Sequence, residues 1–319
     1  MDPLDELLYA VRANGSVLGT PVLPAGTALR FTDAAALTLC APLRGEGWLH
    51  VDGQTVHLKP GETAVVRGPE PFVFSTAPPA GRESSSDPSS GPGSGSGSGS
   101  VGLDPAIEPI DVTCDGTIGA QPETEQPGGT VLLAGAYHVR QEMPRRLIQG
   151  LPAVMIVADD YDCTPLLDYI ENALAIGKLG RQVSLDRLVD WLMVCTLRDW
   201  FDLNSPRWYA ALGDPVVGPV LQAMHRSPAD PWTLASLADI AGVSRTTLAR
   251  RFTDLTGESP LGYLTDLRMT LAADLLAEPG SSVGAVARRI GYADAFSFSA
   301  AFKRERGISP STLRQPAGV

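Results

Sequence analysis

Nowhere in the 319 residues does an apolar run approach the roughly 20 that a membrane-spanning helix needs. No membrane-crossing helix is therefore expected. The opening MDPLDELL is acidic where a secretion signal carries basic charge, which predicts no signal peptide and a cytoplasmic protein. Cysteine is scarce: Cys40, Cys114, Cys163 and Cys195 stand far apart, with no CxxC or CxxH spacing. They read as reduced thiols, neither a disulfide framework nor a zinc site. Catalytic signatures are missing as well. There is no GxSxG, no HExxH and no phosphate-cradling glycine loop, and GSGSGS is linker composition. No catalysis, metal or other cofactor is expected.

Basic charge is also in deficit, 25 Lys and Arg against 36 Asp and Glu, for a net charge of −11. That balance argues against nucleic acid until the chain is divided. Residues 1–218 carry 14 basic against 27 acidic side chains, net −13, whereas residues 219–319 carry 11 against 9, net +2. Phosphate contacts depend on local placement, so an acidic neighbour does not veto them.

What the chain does contain is a statement made twice between Trp232 and Pro310. TLASLADIAGVSRTTLARRFTDLTGESP begins at Thr233, and SVGAVARRIGYADAFSFSAAFKRERGISP begins at Ser282. In each copy a short apolar-striped segment (Leu234, Leu237, Ala238; Val283, Val286, Ala287) runs into a glycine, Gly242 or Gly291, placed to end a helix in the left-handed conformation. Ser244 or Asp294 is then placed to cap a second helix. That helix has an apolar stripe (Leu248, Phe252, Leu255; Phe298, Ala301, Phe302) and a basic opposite face (Arg245, Arg250, Arg251; Lys303, Arg304, Arg306). Each copy is a helix-turn-helix pattern. The two are joined by one helix that starts at Ser259-Pro260, carries Leu264, Leu267, Leu271 and Leu275, and closes at Pro279-Gly280. Residues Pro219–Met224 are expected to start a supporting helix before the first copy.

The tandem arrangement ending in GYADAFSFSAAFKRERGISPSTLR resembles the DNA-binding domain of the AraC/XylS family of bacterial transcription regulators, over about the last hundred residues. One departure is Leu313, where many members have Tyr, and a leucine can fill the same apolar slot. The resemblance implies that Thr246, Ala249 and Arg250, with Arg245 beside them, face bases in the first copy, and Phe296, Ser297 and Ala300 in the second. Arg250 is the best candidate for a bidentate contact to guanine. The second helix, with methyls and one hydroxyl, is expected to read sequence poorly. Arg251, Lys303 and Arg304 complete the expected DNA-binding set, the last two as phosphate contacts.

The amino-terminal half speaks differently. After a short amphipathic segment at 4–12, residues 19–74 alternate in short apolar runs broken by Gly, Pro and Asp, as strands do. GWLHV, Asp52-Gly53 and QTVHL form a hairpin with a pair suited to a type I′ turn. The segment GEGWLHVDGQTVHLKPGETAVV resembles the small-barrel cupin-type sensor domain found at the amino terminus of many AraC-type regulators. Enzymatic cupins hold metal with a His-x-His pair, a Glu and a later His. This chain has no such pair, and GPEPF at 68–72 offers no histidine where the motif places one. Trp48, His50, His57 and Tyr137 are the candidate effector-binding residues. Cys114 and Cys163, both in polar turn-like sequence, are a candidate redox pair, although adjacent acids work against thiol reactivity.

The chain is thus expected to be α+β with two domains. Residues 1–164 would form a cupin-like effector-sensing barrel interrupted at 83–129 by a flexible Gly/Ser insertion, which is a loop or a tether. Residues 165–205 would be a helical pair that dimerises the protein, as the resemblance implies, or else packs only on its own barrel. A linker at 206–218 would lead to the tandem helix-turn-helix domain at 219–319. The expected function is a transcription regulator, cytoplasmic and nucleoid-associated, governed by a small-molecule or redox signal. Its partners would be double-stranded DNA, a small-molecule effector, a second subunit and RNA polymerase. The alternative is a cupin enzyme fused to a DNA-binding domain.

Overall fold

The computed structural model describes residues 13–79, 103–114, 129–139, 142–158, 164–175 and 181–313. The amphipathic segment expected at 4–12, the Gly/Ser stretch and Cys163 lie outside them. The described residues divide into two compact units, one running up to His138 together with Ile148–Trp200, the other of Val139–Leu147 together with the residues from Phe201 onward.

The first unit is a sandwich of two five-stranded sheets. Strands β1 (Ala13–Leu23), β3 (Leu37–Arg44), β6 (Glu62–Arg67), β9 (Thr130–Tyr137) and β10 (Val154–Ala158) make one sheet in the order β1-β9-β3-β6-β10. Strands β2 (Ala28–Phe31), β4 (Gly47–Val51), β5 (Gln54–Leu58), β7 (Phe72–Ser75) and β8 (Ile110–Val112) make the other, in the order β5-β4-β7-β2-β8. The two sheets do not close into the expected barrel. Between β5 and β6 the chain changes sheets through a tight turn at Lys59–Gly61, where Gly61 has φ +81° and the Glu62 amide donates to the Lys59 carbonyl at 3.0 Å. The predicted hairpin is present, with Asp52 at φ 48° and Gly53 at φ 73°, as a type I′ turn requires. Strand β8 lies inside the span expected to be a flexible insertion. Its three residues pair in parallel with Leu29–Phe31, too short a run for alternation to reveal.

The core between the sheets is apolar: Cys40, Ala64, Val66, Leu132, Ala134 and Ala136 from one, Leu29, Phe31, Leu49, Val51, Leu58, Phe72 and Phe74 from the other. The first sheet is buried on its far side too, which is why every residue of β9 is buried and TVLLAGAY shows no alternation. Helices α2 (Thr164–Ala175) and α3 (Arg181–Asn204) belong to this side. Tyr137 donates its hydroxyl to the Val189 carbonyl of α3 at 2.9 Å, and Leu185, Val189, Leu192 and Met193 are buried.

The second unit is helical: α4 (Arg207–Gly213), α5 (Val217–Arg226), α6 (Leu234–Ala241), α7 (Arg245–Thr256), α8 (Pro260–Ala277), α9 (Val283–Arg289), α10 (Ala295–Arg306) and α11 (Pro310–Leu313). The start of α1 (Glu142–Gln149) clusters with it. Residues 206–218, expected to be a linker, instead fold into this unit. They contain α4, whose Ala211 is fully buried in the first helix-turn-helix core with Val217. Two apolar cores sit side by side. One joins α4–α7 to Leu264 and Leu267 of α8, and the other joins α9 and α10 to Met269, Ala272, Ala273 and Leu276 of the same helix. Helix α8 is therefore buried around most of its circumference, where the sequence suggested one stripe. Leu313 packs on the second core.

Candidate nucleic-acid interface

The outward-facing helices are α7 and α10, and local chemistry sets where each begins and ends. Thr233 caps α6 in a capping box with Ser236, and Gly242 terminates it at φ 64°. Ser244 then accepts from the Thr247 amide to start α7, which ends at Gly257, φ 85°. In the second copy Ser282 caps α9, Gly291 follows at φ 86°, Asp294 accepts from the Ser297 amide at 2.8 Å to start α10, and Gly307 ends it at φ 74°. The Ser297 amide and hydroxyl hold the Asp294 carboxyl below its usual range.

Aligning these caps fixes the correspondence between copies. Thr246 matches Phe296, Thr247 matches Ser297 and Arg250 matches Ala300. The partner of Ala249 is Ser299, where the resemblance implies Ser297. Both serines are engaged within the helix, Ser297 donating to Asp294 at 2.8 Å and Ser299 to the Ala295 carbonyl at 2.7 Å.

On α7, Leu248 and Phe252 are fully buried, while Arg245, Thr246 and Arg250 are exposed and Ala249 is half-buried. Among the described residues neither Arg245 nor Arg250 has an ion-pair partner. Arg251 differs in being paired. Its guanidinium grips Asp214, Nε–Oδ2 at 2.9 Å and Nη2–Oδ2 at 2.7 Å. Asp214 also accepts from the Val216 and Val217 amides at 2.9 Å, so it caps α5 and ties that helix to α7. Burial pushes the Asp214 carboxyl up, but Arg251 and the two amides outweigh it and hold the group below the ordinary carboxylate value. Arg251 thus links α7 to the start of α5. Asp214 lies 37 residues away in sequence, and no local signal marks the pair.

On α10, Phe298 and Phe302 are buried, whereas Phe296 is 85% exposed. Ala300 and Lys303 are exposed. Arg304 is also exposed and, among the described residues, bonds its neighbour Glu305 at 2.9 Å, an interaction of little strength in water. Arg306 turns inward instead, donating to the Thr270 hydroxyl at 2.7 Å and lying 3.2 Å from Glu142. The Glu142 amide in turn donates to Asp274 at 2.8 Å.

The segment entering the first copy braces it against the second. Arg268 of α8 donates to the Pro228 and Asp230 carbonyls, each at 2.7 Å, and Trp232 Nε1 donates to the Ser227 carbonyl at 2.8 Å. Gly291, in the turn of the second copy, lies so close to this loop that a Cβ there would come 2.3 Å from the Ala229 carbonyl oxygen.

The four candidate effector residues do not form one pocket. Trp48 and His57 face each other across β4 and β5, rings stacked at 4.8 Å, and His50 sits beside them opposite Thr55. Strand alternation sends Leu49 and Val51 into the sandwich core, so these three occupy the outer face of the second sheet. His50 Nε2 lies 3.0 Å from the Ser75 hydroxyl, which itself donates to the Ala77 carbonyl; the imidazole must therefore donate from Nε2 and accept from Thr55 at Nδ1. Burial lowers its pKa. His57 Nε2 is 3.1 Å from Glu46. Tyr137 lies on the other sheet, fully buried under α3. Cys114 is not in a polar surface turn: it is 2% exposed, in the sandwich core. Burial pushes the Cys40 thiol far up.

Two family models match the chain, one described as Cupin over residues 2–202 and one described as Helix-turn-helix domain over residues 237–316. The chain is 30% identical over 332 residues to a Streptomyces antibioticus protein named an AraC-like transcription regulator, covering 99% of each chain. A protein of the same name from Streptomyces lividans is 28% identical over 329 residues, with 99% of this chain and 98% of that one covered. The RCS-specific HTH-type transcriptional activator RclR of Escherichia coli K12 is 41% identical over 194 residues, 58% of this chain and 68% of that one.

Proposed function

The chain belongs to the family of AraC-like transcription regulators, with a cupin-type amino-terminal unit, and from that membership we propose which of its residues meet DNA and how. It is a DNA-binding regulator of transcription. The proposed reading surface is the exposed face of α7, where Arg250 donates a bidentate pair to guanine and Arg245, Thr246 and Ala249 lie alongside. In the second copy Phe296 and Ala300 face bases beside Ser297, and Lys303 and Arg304 hold phosphates. The two helices would enter successive major grooves about 34 Å apart on one face of the duplex. One observation carries this reading: two capped helices present outward faces while a single helix, α8, is shared by both of their cores. Mapping genomic fragments retained by the purified full-length protein tests it. Discrete footprints are expected, and uniform retention of random competitor would sink the assignment.

Signals would reach the chain through the cupin-type unit. Its described outer patch of Trp48, His50 and His57 is our candidate contact for a small molecule, which would act by binding two arrangements of the protein unequally. Loss of an effector response in Trp48→Ala, with DNA retention intact, is the expected result. We also propose that subunits pair through the outward side of α3. Val183 and Trp191 are 65% and 63% exposed there, while Leu185, Val189 and Leu192 are already used within the unit. Sedimentation of Trp191→Glu should show monomers; an unchanged mass would refute the pairing. We read the protein as non-catalytic, in line with relatives that are named as regulators.

A further inference from the structure

Phe296 is a large apolar side chain for which the fold provides no packing. It is 85% exposed, while the other two phenylalanines of α10 are fully buried and meet edge to face at 5.5 Å. It stands in the first turn of α10, at the register position that Thr246 occupies in α7. The polar groups around it are already committed. Asp294 accepts from the Ser297 amide and hydroxyl, and the Ser299 hydroxyl donates to the Ala295 carbonyl. Between the cap and Lys303, the face this helix presents therefore holds a phenyl ring and the methyl of Ala300, and no uncommitted hydrogen-bond donor.

Positions 296, 300, 303 and 304 recur at helical spacing and share one side of α10. That side runs from apolar at its beginning to cationic at its end, since Lys303 and Arg304 are both exposed. A purely apolar groove on a protein partner would not match the two cations. A polyanion with an apolar group on its groove floor matches both ends. In the major groove only one base offers such a group, thymine through its C5-methyl.

We propose that Phe296, backed by Ala300, selects thymine by its C5-methyl group, so that the second half-site is specified by methyl placement where the first is specified by hydrogen bonds to Arg250. The proposal rests on the DNA-binding reading above and names what its second helix recognises.

The test uses full-length protein and a fragment it retains, prepared with thymine, and with deoxyuridine replacing thymine in one half of the footprint or the other. Deoxyuridine removes the methyl and leaves every hydrogen-bonding group in place. Substitution in one half-site should weaken retention by about fourfold for each methyl lost from contact, and in the other half-site it should change little. Phe296→Ala should bind the thymine duplex with the same loss and become indifferent to deoxyuridine. Because Phe296 is exposed, its unfolding midpoint should equal that of the unsubstituted protein. Equal retention of all three duplexes by the unsubstituted protein would overturn the proposal, as would a Phe296→Ala variant that keeps the full deoxyuridine effect. A variant that binds DNA normally but fails to support transcription with RNA polymerase would assign the ring to a protein partner, and would also overturn it. If no fragment is retained at all, the DNA reading itself fails, a different result from each of these.

Discussion

The two helix-turn-helix copies agree inside and differ outside. Leu248 and Phe252 of the first take the places of Phe298 and Phe302 in the second, and both copies share the Gly-x-Ser-Pro exit at 257–260 and 307–310. Their outward positions share almost nothing: Arg250 corresponds to Ala300 and Thr246 to Phe296, while the exposed Arg251 corresponds to the buried Ala301. Their turns differ as well. Gly242 has open space around its missing Cβ, whereas Gly291 rests on the Ala229 carbonyl. A core dictates which residues may fill it, and a solvent face does not. One scaffold can therefore be built twice, with exposed arginines on the outer face of the first copy and a bracing contact on the second.

The glycines give the sharpest way to break the comparison. Both have positive φ, so alanine at either site is strained, by about 1–2 kcal/mol. Gly291→Ala must also displace backbone, which raises its expected destabilisation to about 3 kcal/mol. Urea unfolding of the two variants should separate them clearly, and equal losses would mean the Ala229 contact is slack. Next in size is Arg250→Ala, which should lose about 1–3 kcal/mol of discrimination at a single base pair and little elsewhere. A binding-site selection that relaxed at every position would contradict its assignment. Lys303→Ala should weaken all sequences alike and reduce the salt slope of binding by about one; an unchanged slope would remove it from the phosphate contacts.

The smallest effect concerns how the first copy is anchored. The Asp214 carboxyl titrates lower when folded than when unfolded, so the stability it adds is complete above the unfolded value of about 4 and disappears as pH falls through the lower folded value. The native protein should therefore lose stability on acidification from about pH 4 downward more steeply than Asp214→Asn does. Parallel pH profiles of the denaturant midpoint would show that Arg251 does not anchor α7 through this carboxylate.

The doubled unit was legible because caps and left-handed glycines are chemistry of a few neighbouring residues. Ser244, Asp294, Gly242 and Gly291 announce themselves in a single chain. The Asp52-Gly53 hairpin was legible for the same reason. What escaped depends on residues distant in sequence. Alternation in GWLHV separates Trp48 and His50 from Leu49 and Val51, but both sets carry apolar bulk, and only the opposing sheet decides which set is inside. SPRWYAALGDP reads as a linker because Pro206 and Asp214 punctuate it, yet a helix forms once Ala211 finds its core. The pairing of Arg251 with Asp214 spans 37 residues and escapes for the same reason.

Helix α8 spans 18 residues, about 27 Å at the usual rise, and is seated in a core at each end. We expect it to work as a fixed calliper whose two jaws move together. Adding one base pair between the half-sites would turn the far one by about 35° around the duplex axis, out of reach of a jaw that cannot follow. Operators for this protein should accordingly tolerate changes of letter far better than changes of length.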